Sequence, residues 1–172
     1  MVKRVADLLT LSRLFLSLGI MVLGVWRGEE ALPTVVMMAL LAWMTDALDG
    51  PLARRARPRS VTWIGEQDFP IDVFMVVALL SYLTAIDVVP WKGALIYLLV
   101  ATGAIWWLRE QAIALAFMAP VDALFLYTGW QRAPAETRWV LLYLAVALVL
   151  DWHRFSYVVS VFINGMRRVL HV

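Results

Sequence analysis

Leu8-Leu-Thr-Leu-Ser-Arg-Leu-Phe-Leu-Ser-Leu-Gly-Ile-Met-Val-Leu-Gly-Val-Trp26 is a nearly unbroken apolar run. A helix needs about 20 residues to cross about 30 Å of hydrocarbon, so this run is long enough to span a bilayer. No small-residue cleavage site follows it, and it is expected to be a retained first transmembrane helix rather than a signal peptide. The rest of the chain has the same character. Of its 172 residues 63% are hydrophobic and only 16% charged, against roughly 25% charged in an ordinary soluble domain. A compact soluble protein of this size leaves too much surface in water to hide so many apolar groups. Lipid is therefore expected to be the solvent for much of the chain.

Five further segments approach a membrane-crossing length, giving six in all: 8–27, 31–50, 69–90, 93–109, 111–130 and 137–158. Charge or turn chemistry separates them, as in Arg27-Gly28-Glu29-Glu30 and Val89-Pro90-Trp91-Lys92. Beyond Arg154 the last segment either continues to Phe162 or breaks into a surface helix; periodicity does not choose. With a cytoplasmic N-terminus, that side holds Lys3, Arg4, Arg13, Arg54, Arg55, Arg57, Arg59, Arg109, Arg154, Arg167 and Arg168. The other side holds Arg27, Lys92, Arg132 and Arg138. This asymmetry predicts cytoplasmic termini. The expected fold is an all-α integral membrane protein, a six-transmembrane-helix bundle forming one domain over 1–172.

Cysteine is absent, which excludes disulfides, thiolate metal sites and a catalytic thiol. A net charge of +2 with clustered cations suits anionic lipid headgroups better than nucleic acid. Nine Trp and five Tyr fit interfacial belts.

Against this apolar background four carboxylates stand out. Asp46 and Asp49 end the second segment; Asp68 and Asp72 open the third. A charge in the middle of a membrane helix costs roughly 2.5–3.5 kcal/mol on insertion scales. Each pair has helical spacing, and so shares a helix face. The second segment runs inward and the third outward, which brings both pairs near the cytoplasmic end. Antiparallel neighbours would gather all four, and gathered carboxylates need protons or cations. Mg²⁺ or Mn²⁺, hard ions that favour oxygen ligands, suit this set, whereas His153 and His171 alone make zinc a poor fit. Two such ions would clamp a phosphate or pyrophosphate. Between the pairs, Gly50 and Ala53 leave room for a bulky group and Arg54 offers a fork for phosphate oxygens.

Asp46-Ala-Leu-Asp49-Gly50-Pro-Leu-Ala53-Arg54, followed by Gly65-Glu-Gln-Asp68-Phe-Pro-Ile-Asp72, resembles the signature of the CDP-alcohol phosphotransferases, Asp-x₂-Asp-Gly-x₂-Ala-Arg, then Gly-x₃-Asp-x₃-Asp. Gly65 stands one residue closer to Asp68 than in that pattern, with Ile64 in the expected place. Leu9-Thr10-Leu11-Ser12-Arg13 is similar to the family's opening stretch, with Asp7 where an Asn is common. Arg109-Glu110 resembles a pair in the phosphatidylglycerophosphate synthase branch. Pro51 is a candidate kink, and Val73 replaces a frequent Lys.

The resemblance implies that Asp46, Asp49, Asp68 and Asp72 bind two divalent ions, with Asp72 also the general base. Gly50, Ala53 and Arg54 would hold the cytidine and pyrophosphate of CDP-diacylglycerol. It implies metal-dependent phosphatidyl transfer to an alcohol with release of CMP in phospholipid synthesis, near the cytoplasmic face of the cell membrane, by a homodimer. Arg109, with other cytoplasmic arginines, makes glycerol 3-phosphate the first-ranked acceptor, with inositol phosphate, serine and a lipid alcohol left open. Two other classes are weighed against this reading. A cation transporter or channel also uses intramembrane carboxylates, but does not need Gly50, Ala53 and Arg54 beside them. An inactive relative of the family is the third reading, supported by the shifted Gly65.

Of the remaining polar residues, Asp122 either lines the cavity or pairs with a basic side chain, the structural role being ranked first, and Asp151 is expected to pair with Arg154. His153 is expected to be structural, Asp87 solvated, and Trp106-Trp107 lipid-facing or packed.

Overall fold

The computed structural model describes residues 2–55, 68–150 and 152–170, and among these it is helical with short turns and no strand. The helices are α1 (Val2–Arg27), α2 (Leu32–Arg55), α3 (Asp68–Ala85), α4 (Trp91–Leu108), α5 (Gln111–Arg132), α6 (Pro134–Leu150) and α7 (Trp152–Leu170). A single 3-10 turn, Gly28–Ala31, joins α1 to α2.

Leu8–Ala47, Trp91–Leu108 and Ala112–Arg132 are long and apolar enough to cross a membrane, and Pro134–Leu150 qualifies together with Phe155–Arg168. The first stretch has 40 residues and as one rod would extend about 60 Å, twice the hydrocarbon thickness. It is instead a hairpin. Gly28 takes a left-handed φ of 54° at the turn, which a residue without Cβ adopts at little cost. The chain then doubles back until Arg13 of α1 meets Asp46 of α2.

α1 runs parallel to α3. Contacts climb both helices in step: Arg13 with Asp72, Ser17 with Met75 at 3.2 Å, and Gly24 beside Tyr82. The expectation of α2 and α3 as direct neighbours needs correction, since among the described residues the chief packing partner of both is α1. The core runs through Ile20, Val35, Val36, Leu79, Tyr82, Leu83, Phe125 and Val140. Large apolar side chains such as Trp26, Leu99, Trp106, Trp107 and Val149 cover the outside. The Trp106-Trp107 pair is thus on the surface, where lipid would meet it.

Several ends differ from those expected. α2 continues through Pro51 to Arg55. The third segment, expected to reach residue 90, stops at Ala85. Val88 and Val89 N–H groups donate back to the Leu83 carbonyl, and exposed Asp87 sits between at a left-handed φ of 58°. This is a Schellman-type cap, and Pro90 beyond it prevents continuation. The sixth segment, expected over 137–158, ends at Leu150, and the axis turns by 88° between Pro134–Leu150 and Phe155–Arg168. The physical reason is in the pattern. In α6 apolar residues surround the helix, whereas in α7 they narrow to Phe155, Val158, Val159, Phe162 and Met166, one stripe at helical spacing. A helix of that kind lies along an interface rather than crossing it. α7 rests on the start of α5, where Gly165 lies so close to Ala112 that an added Cβ would sit 2.5 Å from its methyl.

Candidate active site

Arg13 is the centre of the polar cluster, a role that neither its place among the cytoplasmic cations nor the opening-stretch resemblance implies. Its side chain is 2% exposed. One guanidinium nitrogen, Nη1, donates to Oδ1 of Asp46 at 3.2 Å and to Oδ1 of Asp72. Nη2 donates to the buried Thr10 hydroxyl at 3.4 Å. Ser17 Oγ, one turn on, donates to the Arg13 carbonyl at 2.8 Å. A buried guanidinium needs its charge balanced, and the two acids do this from two different helices. One signal could have exposed it. A charge inside an apolar span demands a partner, and that rule applies to Arg13 as much as to the aspartates.

The carboxylates of Asp46 and Asp72 therefore converge on one point, each about a third exposed. The cation at that point is the Arg13 guanidinium itself, and carboxylate oxygens are also the kind of donor that Mg²⁺ or Mn²⁺ favours. Asp49, Gly50, Ala53 and Arg54 lie in the last turns of α2, and Asp68 is the first residue of α3. Their side chains lie outside the described set. Among the described residues no three acids or histidines converge as a metal cluster. Gly65, Arg57, Arg59 and Asp151 fall outside the described residues, as do the side chains of His153 and Arg154, so the expected Asp151–Arg154 pair does too.

Arg109 lies apart from this cluster. It caps α4 in a left-handed conformation, φ 50°, with its N–H on the Ile105 carbonyl, and its side chain is exposed. Its neighbour Glu110 faces Arg168 of α7 at 3.7 Å.

A cavity of about 820 Å³ opens beside the acids. Trp43 and Asp46 of α2, Asp122 of α5, Tyr143 and Leu148 of α6, and Phe155 and Val158 of α7 line it. The Tyr143 hydroxyl donates to the Trp43 carbonyl at 3.1 Å, fastening α6 to α2 across it. Asp122 thus lines a cavity, the one of its two expected roles that was ranked second. Its Oδ1 is buried and meets no hydrogen-bond partner among the described residues. The apolar surroundings in sequence hid this, because the cavity forms only when four separate helices assemble.

No curated protein and no solved structure matches the chain. A family model does: that of the CDP-alcohol phosphatidyltransferases matches residues 3–163, which includes Arg13, both aspartate pairs and the cavity, and the chain belongs to that family.

Proposed function

We propose that this chain moves a phosphatidyl group from CDP-diacylglycerol to an alcohol, releasing CMP. The family consists of phosphotransferases that use a CDP-alcohol substrate and an alcohol acceptor in membranes, and it is generally divalent-metal dependent. The observation that carries the reading for this chain is the convergence of Asp46 and Asp72 beside a cavity large enough for a substrate. Asp46, Asp49, Asp68 and Asp72 would hold two Mg²⁺ or Mn²⁺ ions. Such ions, when bound, supply positive charge against the donor's pyrophosphate and the departing CMP.

The chain's own residues do the rest. Gly50 and Ala53 give the nucleotide room and Arg54 offers its fork to phosphate oxygens. Asp72 takes the proton of the acceptor hydroxyl as its oxygen attacks the lipid-linked phosphorus. A new phosphorus–oxygen bond forms and the bond to CMP breaks.

The reading includes one domain, six membrane crossings and both termini on the cytoplasmic side. Two ion pairs support it: Arg132 with Glu29 at 3.3 Å joins the ends of α5 and α1 at one level, and Arg168 with Glu110 ties α7 to the opposite level. The excess of Lys and Arg on the α7 side makes that side cytoplasmic. A homodimer belongs to the same reading through the family. Glycerol 3-phosphate is the acceptor that the Arg109-Glu110 pair favours in sequence; Arg109 is outside the cavity lining.

The test supplies purified protein with CDP-diacylglycerol, Mg²⁺ and a panel of alcohols, and follows CMP and the lipid product. Metal-dependent CMP release with a new phospholipid is expected. Absence of CMP with every acceptor, combined with cation flux in liposomes, would replace the enzyme by a transporter.

A further inference from the structure

We infer that the cavity selects an acceptor alcohol bearing an ammonium group, with Asp122 as the specificity-determining residue. This rests on the phosphatidyltransferase reading and names the acceptor class for it. The lining carries two carboxylates, Asp46 and Asp122, and no Lys or Arg among the described residues. Asp46 already shares Arg13 with Asp72. Among the described residues Asp122 has no such counter-charge, and its Oδ1 is buried without a partner.

A phosphorylated alcohol entering here would bring negative charge against that carboxylate in a poorly solvated space, where repulsion is strong. A cation meets the opposite situation. Asp122 attracts it, and the rings of Trp43, Tyr143 and Phe155 in the same lining offer negative faces of the kind that bind ammonium groups. An amino alcohol held at Asp122 would share the cavity with Asp46, which meets Asp72, the proposed base, at Arg13.

The experiment compares choline with its neutral isostere 3,3-dimethylbutan-1-ol and with glycerol 3-phosphate. CMP release is measured alongside equilibrium binding of radiolabelled choline to the purified, metal-loaded protein. Choline is expected to give at least about tenfold higher kcat/KM than the isostere, with glycerol 3-phosphate poorer still. Asp122→Asn should raise the choline KM about tenfold while the isostere's kcat/KM changes little, and Asp122→Glu should recover part of the choline preference. Matching elution profiles of wild type and variants guard against misfolding.

Turnover of glycerol 3-phosphate in preference to choline, or a choline preference unmoved in Asp122→Asn, would overturn the inference and leave the transferase reading intact. Asp122-dependent choline binding with no CMP from any alcohol would do the reverse.

Discussion

Arg13 and Asp46 meet at 3.2 Å across the α1–α2 hairpin although 33 positions separate them. The same guanidinium holds Asp72, so α1 joins α2 and α3 by charge at the level where the chemistry is proposed. Removing it would leave two acids facing each other in a partly buried site. Arg13→Leu is expected to lower stability by about 2 kcal/mol, less than for a fully buried pair because both acids are partly hydrated. Denaturant unfolding in detergent measures this. Added Mg²⁺ should raise the unfolding midpoint of the variant more than that of the wild type, since a ligand stabilises most where it relieves the larger penalty.

Asp72→Asn keeps the shape of the side chain and removes its basicity. CMP release is expected to fall by about 10²–10⁴-fold, the usual share of a general base. Equilibrium binding of CDP-diacylglycerol should largely survive, and full activity in this variant would remove Asp72 from its assigned role.

Chelation is expected to abolish CMP release, with Mg²⁺ or Mn²⁺ restoring it. Asp46→Asn and Asp49→Asn should each raise the metal concentration needed for half-maximal rate. Equal metal dependence in wild type and variants would argue against these two residues as ligands.

How much of this was legible without coordinates depends on whether a feature is local. Helix existence was, because a run such as Leu8–Trp26 has few other ways to satisfy its backbone in lipid. The meeting of Asp46 and Asp72 was legible in part, because each stands out as a charge at the end of an apolar segment. The packing of α1 between α2 and α3 was not, and with it went the role of Arg13. The choice between the two roles of Asp122 was not legible for the same reason, its cavity being the product of four helices. The end of α3 at Ala85 was missed since hydropathy sees Ile86, Val88 and Val89 as more span, while the backbone there turns on Asp87.

The crossing directions can be checked by labelling, because the native chain has no cysteine. Lys92→Cys, in the first turn of α4, is expected to react with an impermeant maleimide from outside intact cells. Ser160→Cys, exposed on α7, should react only after the membrane is opened. Labelling of both from outside would refute the six-crossing arrangement.

Close approach gives one more expectation. A Cβ on Gly129 would sit 2.7 Å from Thr137 Oγ1 and 3.3 Å from a Val36 methyl, so α5, α6 and α2 meet there with no space to spare. Gly129→Val should cost about 1–3 kcal/mol through overpacking, read as a lower unfolding midpoint.

Phe155 and Val158 belong to α7, the helix that turns away from the bundle, yet they complete the wall of the cavity. The chamber is thus walled partly by a segment whose seating depends on the headgroup layer. Lipid packing and surface charge, acting on α7 and its Arg167 and Arg168, thereby reach the space where the acceptor would dock. In the proposed reading, bilayer composition would bear on acceptor docking through Phe155 and Val158.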